Sequence, residues 1–208
     1  MKKLLLLAVL FSVFAISCGR VPYIYVEKSI SHTKDLVYTI NTTGSINQTS
    51  YLSMDELVRT LTEGLDGQLN KRDYTIKELV VQSAEIKLKR NTGNTALSMN
   101  ISSLVANNEV SVSPKVPLLR ESNIEINEVT VAGANFSFMN DGLDKINNTL
   151  ANAIKRLYRG STLIIDIKGS PLPVTARVAV TLTLSITFNM QYSYCEESLF
   201  VIDGKVCP

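Results

Sequence analysis

The C-terminal part of this chain carries the pattern that most constrains its fold. From Val174 to Tyr194 every even position is apolar: Val174, Ala176, Val178, Val180, Leu182, Leu184, Ile186, Phe188, Met190, Tyr192 and Tyr194. The odd positions are Thr175, Arg177, Ala179, Thr181, Thr183, Ser185, Thr187, Asn189, Gln191 and Ser193, and only Ala179 breaks the polar row. Successive side chains of a strand point to opposite faces, so this alternation marks a strand with one face in a core and one outside it. Fully extended, such a run reaches about 70 Å. A domain built from all 208 residues has a diameter of about 40 Å. The strand therefore curls around a core, splits at an inconspicuous bend, or belongs to an elongated molecule. No Gly or Pro interrupts it, which favours curling or elongation. A transmembrane barrel also alternates, but it needs many such segments with aromatic girdles. The other apolar stretches here are short, and two helical patterns lie between them.

The first helical pattern starts at Ser53, where Ser53 as N-cap and Glu56 three residues on make a capping box, and Leu52 and Leu57 are placed as a hydrophobic staple. Leu57, Leu61 and Leu65 share one face, and Gly64 and Gly67 end the run. The second starts at Asn140 or Asp141. Leu143, Ile146, Leu150, Ala153, Ile154 and Leu157 form its stripe, Lys155, Arg156 and Arg159 suit its C-terminal dipole, and Gly160 stops it. Strand alternation appears from Asp35 to Asn41. It recurs within residues 74–90, where Ala84, Ile86 and Leu88 alternate with Glu85, Lys87 and Lys89, and again at Leu97, Met99 and Ile101. Asn91-Thr92-Gly93-Asn94 between the last two is a turn, so the pair reads as a hairpin. The polar stretch Asn41–Ser50 is a polar strand or a loop, and Pro114 and Pro117 mark a connection. Ile124 and Ile126, then Val129 and Val131, form a further strand with a phase slip that suggests a bulge. Together these patterns imply an α+β fold: a long curved antiparallel β-sheet with two α-helices packed on or inside it.

Residues 1–17 read as a leader. Lys2 and Lys3 precede an apolar run, Leu4 to Ile16, broken only by Ser12 and too short to span a membrane comfortably as a mature helix. The run ends Ala15-Ile16-Ser17-Cys18. Small residues before a cysteine at this distance resemble the lipobox of bacterial lipoproteins, with Ala15 where leucine is commoner. The resemblance implies cleavage before Cys18 and acylation of Cys18 on its sulfur and new amine. Two or three acyl chains hold a protein firmly, whereas one does so only marginally. Residues 18–34 then form a lipidated N-terminus and tether, and 35–208 a single α+β domain. Gly19 after the cysteine, by resemblance to lipoprotein sorting, favours the outer membrane. No acid precedes Glu27, which favours the periplasmic face over the outer surface.

The leader holds two of the 21 basic residues and none of the 19 acidic ones, so the mature chain is balanced in charge. Basic residues cluster no further than pairs such as Lys71-Arg72 and Lys155-Arg156, which argues against nucleic-acid binding. Cys195 and Cys207 remain as an even pair in an oxidising compartment, the setting of a disulfide. The loop they close would gain roughly 3 kcal/mol on the chain-entropy model, and Asp203-Gly204 inside it is a turn signal, making a stapled C-terminal tail.

Catalytic signals are sparse. His32 is the sole histidine, which excludes any site needing two. Ser31-His32-Thr33-Lys34 matches Ser-x-x-Lys but lacks a helix signal and partner motifs. Asp141 and Asp144 are acids in a first turn, where the dipole favours them, and Glu196 and Glu197 would point to opposite faces of a strand. No catalytic residues, cofactor or metal are expected, and the protein reads as a non-enzyme.

The order of elements from Ser53 to Ile167 resembles the small bacterial lipoproteins of the tubular lipid-binding fold. The stretches that carry it are Ser53–Leu65, Ser83–Arg90 with Ala96–Leu104, and Asn123–Phe138 leading into Leu143–Leu157. They cover a little over half the chain and hold no diagnostic motif. The resemblance implies an apolar or lipidic ligand between helix and sheet, against Leu143, Ile146, Leu150 and Ile154 on the helix and Leu184, Ile186 and Phe188 on the long strand. The alternative is a structural or interaction subunit of an envelope protein assembly, presenting the Thr-rich odd face of that strand to a protein partner.

Overall fold

The computed structural model describes residues 23–63, 65, 74–107, 114–127, 129–132, 138–155 and 161–197. Eight strands and two helices follow in order: β1 (Tyr23–Thr42), β2 (Ile46–Ser53), α1 (Met54–Glu63), β3 (Tyr74–Arg90), β4 (Ser98–Asn107), β5 (Val116–Glu125), β6 (Val129–Ala132), α2 (Asn140–Ile154), β7 (Thr162–Leu172) and β8 (Val178–Glu197). They make two four-stranded sheets. Sheet A has the order β1-β8-β3-β6 and sheet B the order β2-β7-β4-β5, antiparallel throughout.

The pairing has one logic. β1 pairs with β8, β2 with β7, β3 with β6 and β4 with β5, as in a long ribbon folded back on itself. Rolling that ribbon brings β8 against β3 and β7 against β4. Eight strands rolled into two facing sheets in this order are a jelly roll. The inner faces close on one core that joins both sheets and both helices, with Ile40, Ile86, Leu182, Met99, Ile101, Leu163 and Ile165 all at most 1% exposed. Tyr38 on β1 crosses this core, and its hydroxyl donates to the Ile165 carbonyl of β7 at 3.3 Å.

The long alternation is a single unbroken strand. β8 pairs with β1 without a register shift from Thr42↔Val178 to Tyr23↔Glu197. Its first turn of alternation, Val174 to Ala176, lies instead in the bend before it. The fit to a 208-residue domain comes from elongation of one sheet. β1, β8 and β3 have 20, 20 and 17 residues, whereas β2, β7, β4 and β5 have 8, 11, 10 and 10. At ~3.3 Å per residue sheet A is about 65 Å long and sheet B about 26–36 Å. The two are in step at the 43–45 turn that joins β1 to β2, so sheet A overhangs at the opposite end.

β3 shows how sequence follows sheet. Its inward apolar residues are Ile76, then Leu79 and Val81, then Ala84, Ile86 and Leu88. The two changes of phase fall at register shifts between Ile76 and Glu78 and between Val81 and Ser83. Each bulge adds one residue and restores the apolar side chains to the core face. At the second bulge the Val81 amide donates to Asn147 Oδ1 of α2 at 2.9 Å. α1 is capped as its capping box implies: the Glu56 amide donates to Ser53 Oγ at 3.3 Å, and Leu57 and Leu61 are buried. Gly64 and Gly67, its expected stops, lie outside the described residues, as do Arg156, Leu157, Arg159 and Gly160.

Four expectations are corrected. The single curved sheet is two facing sheets. Alternation marks which face is buried and does not choose a strand's neighbour. Residues 83–90 and 96–104 are not a hairpin: β3 lies in sheet A and β4 in sheet B. The 91–97 segment crosses between sheets, with Gly93 at φ +86° and the Asn91 and Thr95 amides donating to the Ala179 and Arg177 carbonyls. Ile124 and Val131 likewise belong to β5 and β6 in different sheets, so the phase slip is a crossover. Finally, β1 begins at Tyr23, inside the segment read as a tether. Its Thr- and Ser-rich half shows little apolar period because its outer side faces solvent. β7 was not anticipated as a strand, although Leu163, Ile165 and Ile167 alternate inward.

Candidate functional site

The residues expected to hold an apolar ligand belong to one core, but the helix packs chiefly on β3, β5 and β4 rather than on β8. α2 lies over β3 and β5, and Ile146 and Leu150 of α2, with Leu184, Ile186 and Phe188 of β8, are each at most 1% exposed in the same core cluster. Leu143 and Ile154 are partly buried against it. The helix comes very close to sheet B. At Gly142 an added Cβ would stand 2.5 Å from Leu118 Cα and 2.7 Å from the Pro117 carbonyl oxygen. Among the described residues, one buried side-chain polar atom lacks a partner: Ser103 Oγ, on the inward side of β4 between Ile101 and Val105.

Cys18 and Cys207 lie outside the described residues. Cys195, third from the end of β8 and in register with Tyr25, is disulfide-bonded. The Ser-x-x-Lys match dissolves on the strand. Ser31 faces outward, donating to Gln82 Oε1 at 3.2 Å and accepting from Asn189 Nδ2 at 3.0 Å. Lys34 stands on the opposite face and pairs with Glu56 of α1 at 3.0 Å. A Ser–Lys dyad would need both side chains on one side.

Two open clefts sit elsewhere. One, of about 510 Å³, is lined by Ser45, Ile46, Asn47, Thr49, Lys115, Asp166, Lys168 and Gly169 on the outer face of sheet B. At its floor Asp166 is 5% exposed. It accepts from Lys115 Nζ at 2.6 Å and from Thr49 Oγ1 at 2.8 Å. Burial raises its pKa, but the bonds from Lys115 and Thr49 outweigh burial and hold the carboxyl below the ordinary aspartate range. Sequence reading missed it, although a lone acid inside Leu163-Ile164-Ile165-Asp166-Ile167 is a readable sign of a buried charge. The second cleft, about 500 Å³, is at the overhanging end of sheet A, lined by Glu27, Lys28, Ser29, Lys77, Gln191 and Tyr192.

On the outer face of sheet A the row along β8 is uncharged and polar, bonded across strands, and is flanked by charged side chains, Asp35 on β1 and Glu85, Lys87 and Lys89 on β3. Thr33 and Thr187 hydroxyls are 2.9 Å apart, Asn91 Nδ2 donates to Thr181 Oγ1 at 3.1 Å, and the Ser31–Asn189–Gln82 group continues the row. Val37 is 57% exposed among them. β1 is the sheet edge, bonded to β8 on one side.

No protein-family model and no curated protein matches the chain. Solved structures similar to it are virus coat proteins at TM-scores below 0.4. The infectious bursal disease virus Gx strain gives TM-score 0.36 and 6% identity, over 88% of this chain and 38% of the virus chain. The chain thus spans about two-fifths of that protein's length. Desmodium yellow mottle tymovirus gives 0.31 and 10% identity, over 85% and 91%. The decameric BFDV capsid protein gives 0.32 and 11%, over 81% and 99%. The jelly-roll assignment rests on the strand order, independently of these.

Proposed function

We propose that this chain is a non-enzymatic bacterial envelope lipoprotein, anchored through acylated Cys18 in the outer membrane and facing the periplasm, that works by protein contact as a structural or interaction subunit. The observation that carries the reading is the outer face of sheet A. Its uncharged hydroxyl and amide row along β8, with the exposed Val37 beside it and a β1 edge that no described strand covers, offers a neutral strip and a row of backbone groups to a protein partner. The Val37→Lys variant tests it. Val37 faces solvent, so the fold should stand while self-association or complex formation of the purified lipoprotein, measured by analytical ultracentrifugation, is lost. Unchanged assembly sinks the reading.

A second reading, an apolar ligand held between α2 and the sheets, is favoured by one observation: the buried Ser103 hydroxyl without a partner, which a ligand's polar group would satisfy. Native mass spectrometry of the chain from Gly19 onward separates the two. A stoichiometric lipid adduct supports the second reading, and a mass equal to the polypeptide alone overturns it.

A further inference from the structure

The overhanging end of sheet A gathers a distinctive set of side chains. Five of the chain's eight tyrosines stand there: Tyr23 and Tyr25 on β1, Tyr74 on β3, and Tyr192 and Tyr194 on β8. Tyr23 and Tyr74 are 46% and 39% exposed. Tyr192 and Tyr194 stack at 6.2 Å between ring centroids. Lys28 Nζ lies 5.3 Å from the Tyr194 ring centre and Lys77 Nζ 5.1 Å from that of Tyr25, whose hydroxyl donates to Ser193 Oγ at 2.6 Å. The two lysines stand on opposite faces of the sheet end, Lys28 on the face of Tyr192 and Tyr194 and Lys77 on the face of Tyr25 and Glu27.

We propose that this end of sheet A rests on the phospholipid headgroup layer of the membrane that holds the acylated Cys18. The inference deepens the lipoprotein reading and rests on it. Two arguments support it. Cys18 is five residues before Tyr23, the first residue of β1, so the chain between reaches at most about 18 Å, and the overhang is the end of the molecule held nearest the bilayer. Tyrosine, with an apolar ring and a polar tip, and lysine, with an apolar stem and a charged head, are the side chains that suit the water–lipid boundary.

The test uses the acylated protein in vesicles of phosphatidylethanolamine and phosphatidylglycerol, labelled with a membrane-impermeant amine-acylating reagent and read by peptide mass spectrometry. The same chain made from Gly19 onward, in solution, is the reference. Lys28 and Lys77 should label at least ~5-fold more slowly on vesicles than in solution, while Lys89 and Lys168 keep their solution rates. Lys28 pairs with Tyr192 and Lys89 with Thr181, eleven residues along β8, so the reporters differ by about 36 Å in height. Unchanged rates at Lys28 and Lys77, or equal slowing at all four, with acylation of Cys18 seen in the same digest, overturn the inference and leave the lipoprotein reading standing. A Cys18 peptide without acyl mass overturns both.

Discussion

Tyr38 and Asp166 are two polar groups the core handles in opposite ways. Burial pushes the Tyr38 pKa up to about 12, because the ionised phenol has too little solvation inside the sandwich. Unfolded tyrosine ionises near pH 10. The neutral, buried Tyr38 therefore contributes stability that is whole below about pH 10 and lost as pH rises toward and through 12. The Tyr38→Phe variant should show a shallower alkaline loss of stability in urea titrations across that range, and a neutral-pH cost of about 1 kcal/mol for the bond to the Ile165 carbonyl. Asp166 has the reverse sign. Its folded pKa lies below the unfolded value of about 3.9, so its contribution is present above that pH and lost as pH falls through the folded value. Asp166→Asn should cost about 1–3 kcal/mol at pH 7 and flatten the acid limb below pH ~4, measured by denaturant midpoints against pH. Ser103→Ala removes an unpartnered hydroxyl. It should stabilise the empty protein by about 1 kcal/mol, and a destabilisation would show that the hydroxyl has an occupant.

α2 owes its position to one small residue. An alanine is the better helix former by about 1 kcal/mol, yet at position 142 its methyl would run into backbone atoms of Leu118 and Pro117 that cannot rotate away. Gly142→Ala should therefore destabilise by about 1–3 kcal/mol, seen as a lower melting temperature with helix content retained. The elements themselves were largely legible. The capped start of α1, the start of α2, the extent of β3 and the inward row of β8 follow from local residues and apolar spacing, although α2 begins after Met139 without a side-chain cap. The misreadings share a cause. Ser83–Arg90 and Ala96–Leu104 look like a hairpin because a turn separates two alternating runs. Whether such a turn closes a hairpin or crosses a sandwich depends on partners far along the chain. Here Ala179 and Arg177 bind the turn's amides, and the buried Asn94 accepts from the Ala179 amide at 3.0 Å while donating to the Ala96 carbonyl at 2.8 Å.

Across the whole molecule, stability should be graded along sheet A. β8 is bonded on both sides and its even residues from Val178 to Met190 are buried, whereas β1 is an edge whose first half is largely open. Hydrogen exchange should find the amides of residues 180–188 slowest and those of 23–30 much faster. Uniform protection along β1 would show that a further segment covers its edge. The expected site was legible only in part. The apolar stripe of α2 and the even face of β8 were recognisable as surfaces that must be covered; both enter one core, the helix through β3, β5 and β4. The outer polar face, the Asp166 cleft and the tyrosine-rich end draw on strands far apart in the chain, so spacing could not assemble them. By itself the sequence determined the lipobox-like cysteine, the helix starts and the faces of the strands that avoid water, since these depend on neighbours a few residues away. Only the tertiary structure decided that eight strands divide into two sheets, that one outreaches the other, and which side chains meet at its end. Those outcomes are pairings between distant segments, selected by the burial of one shared core, and local periodicity carries no record of which partner each strand will find.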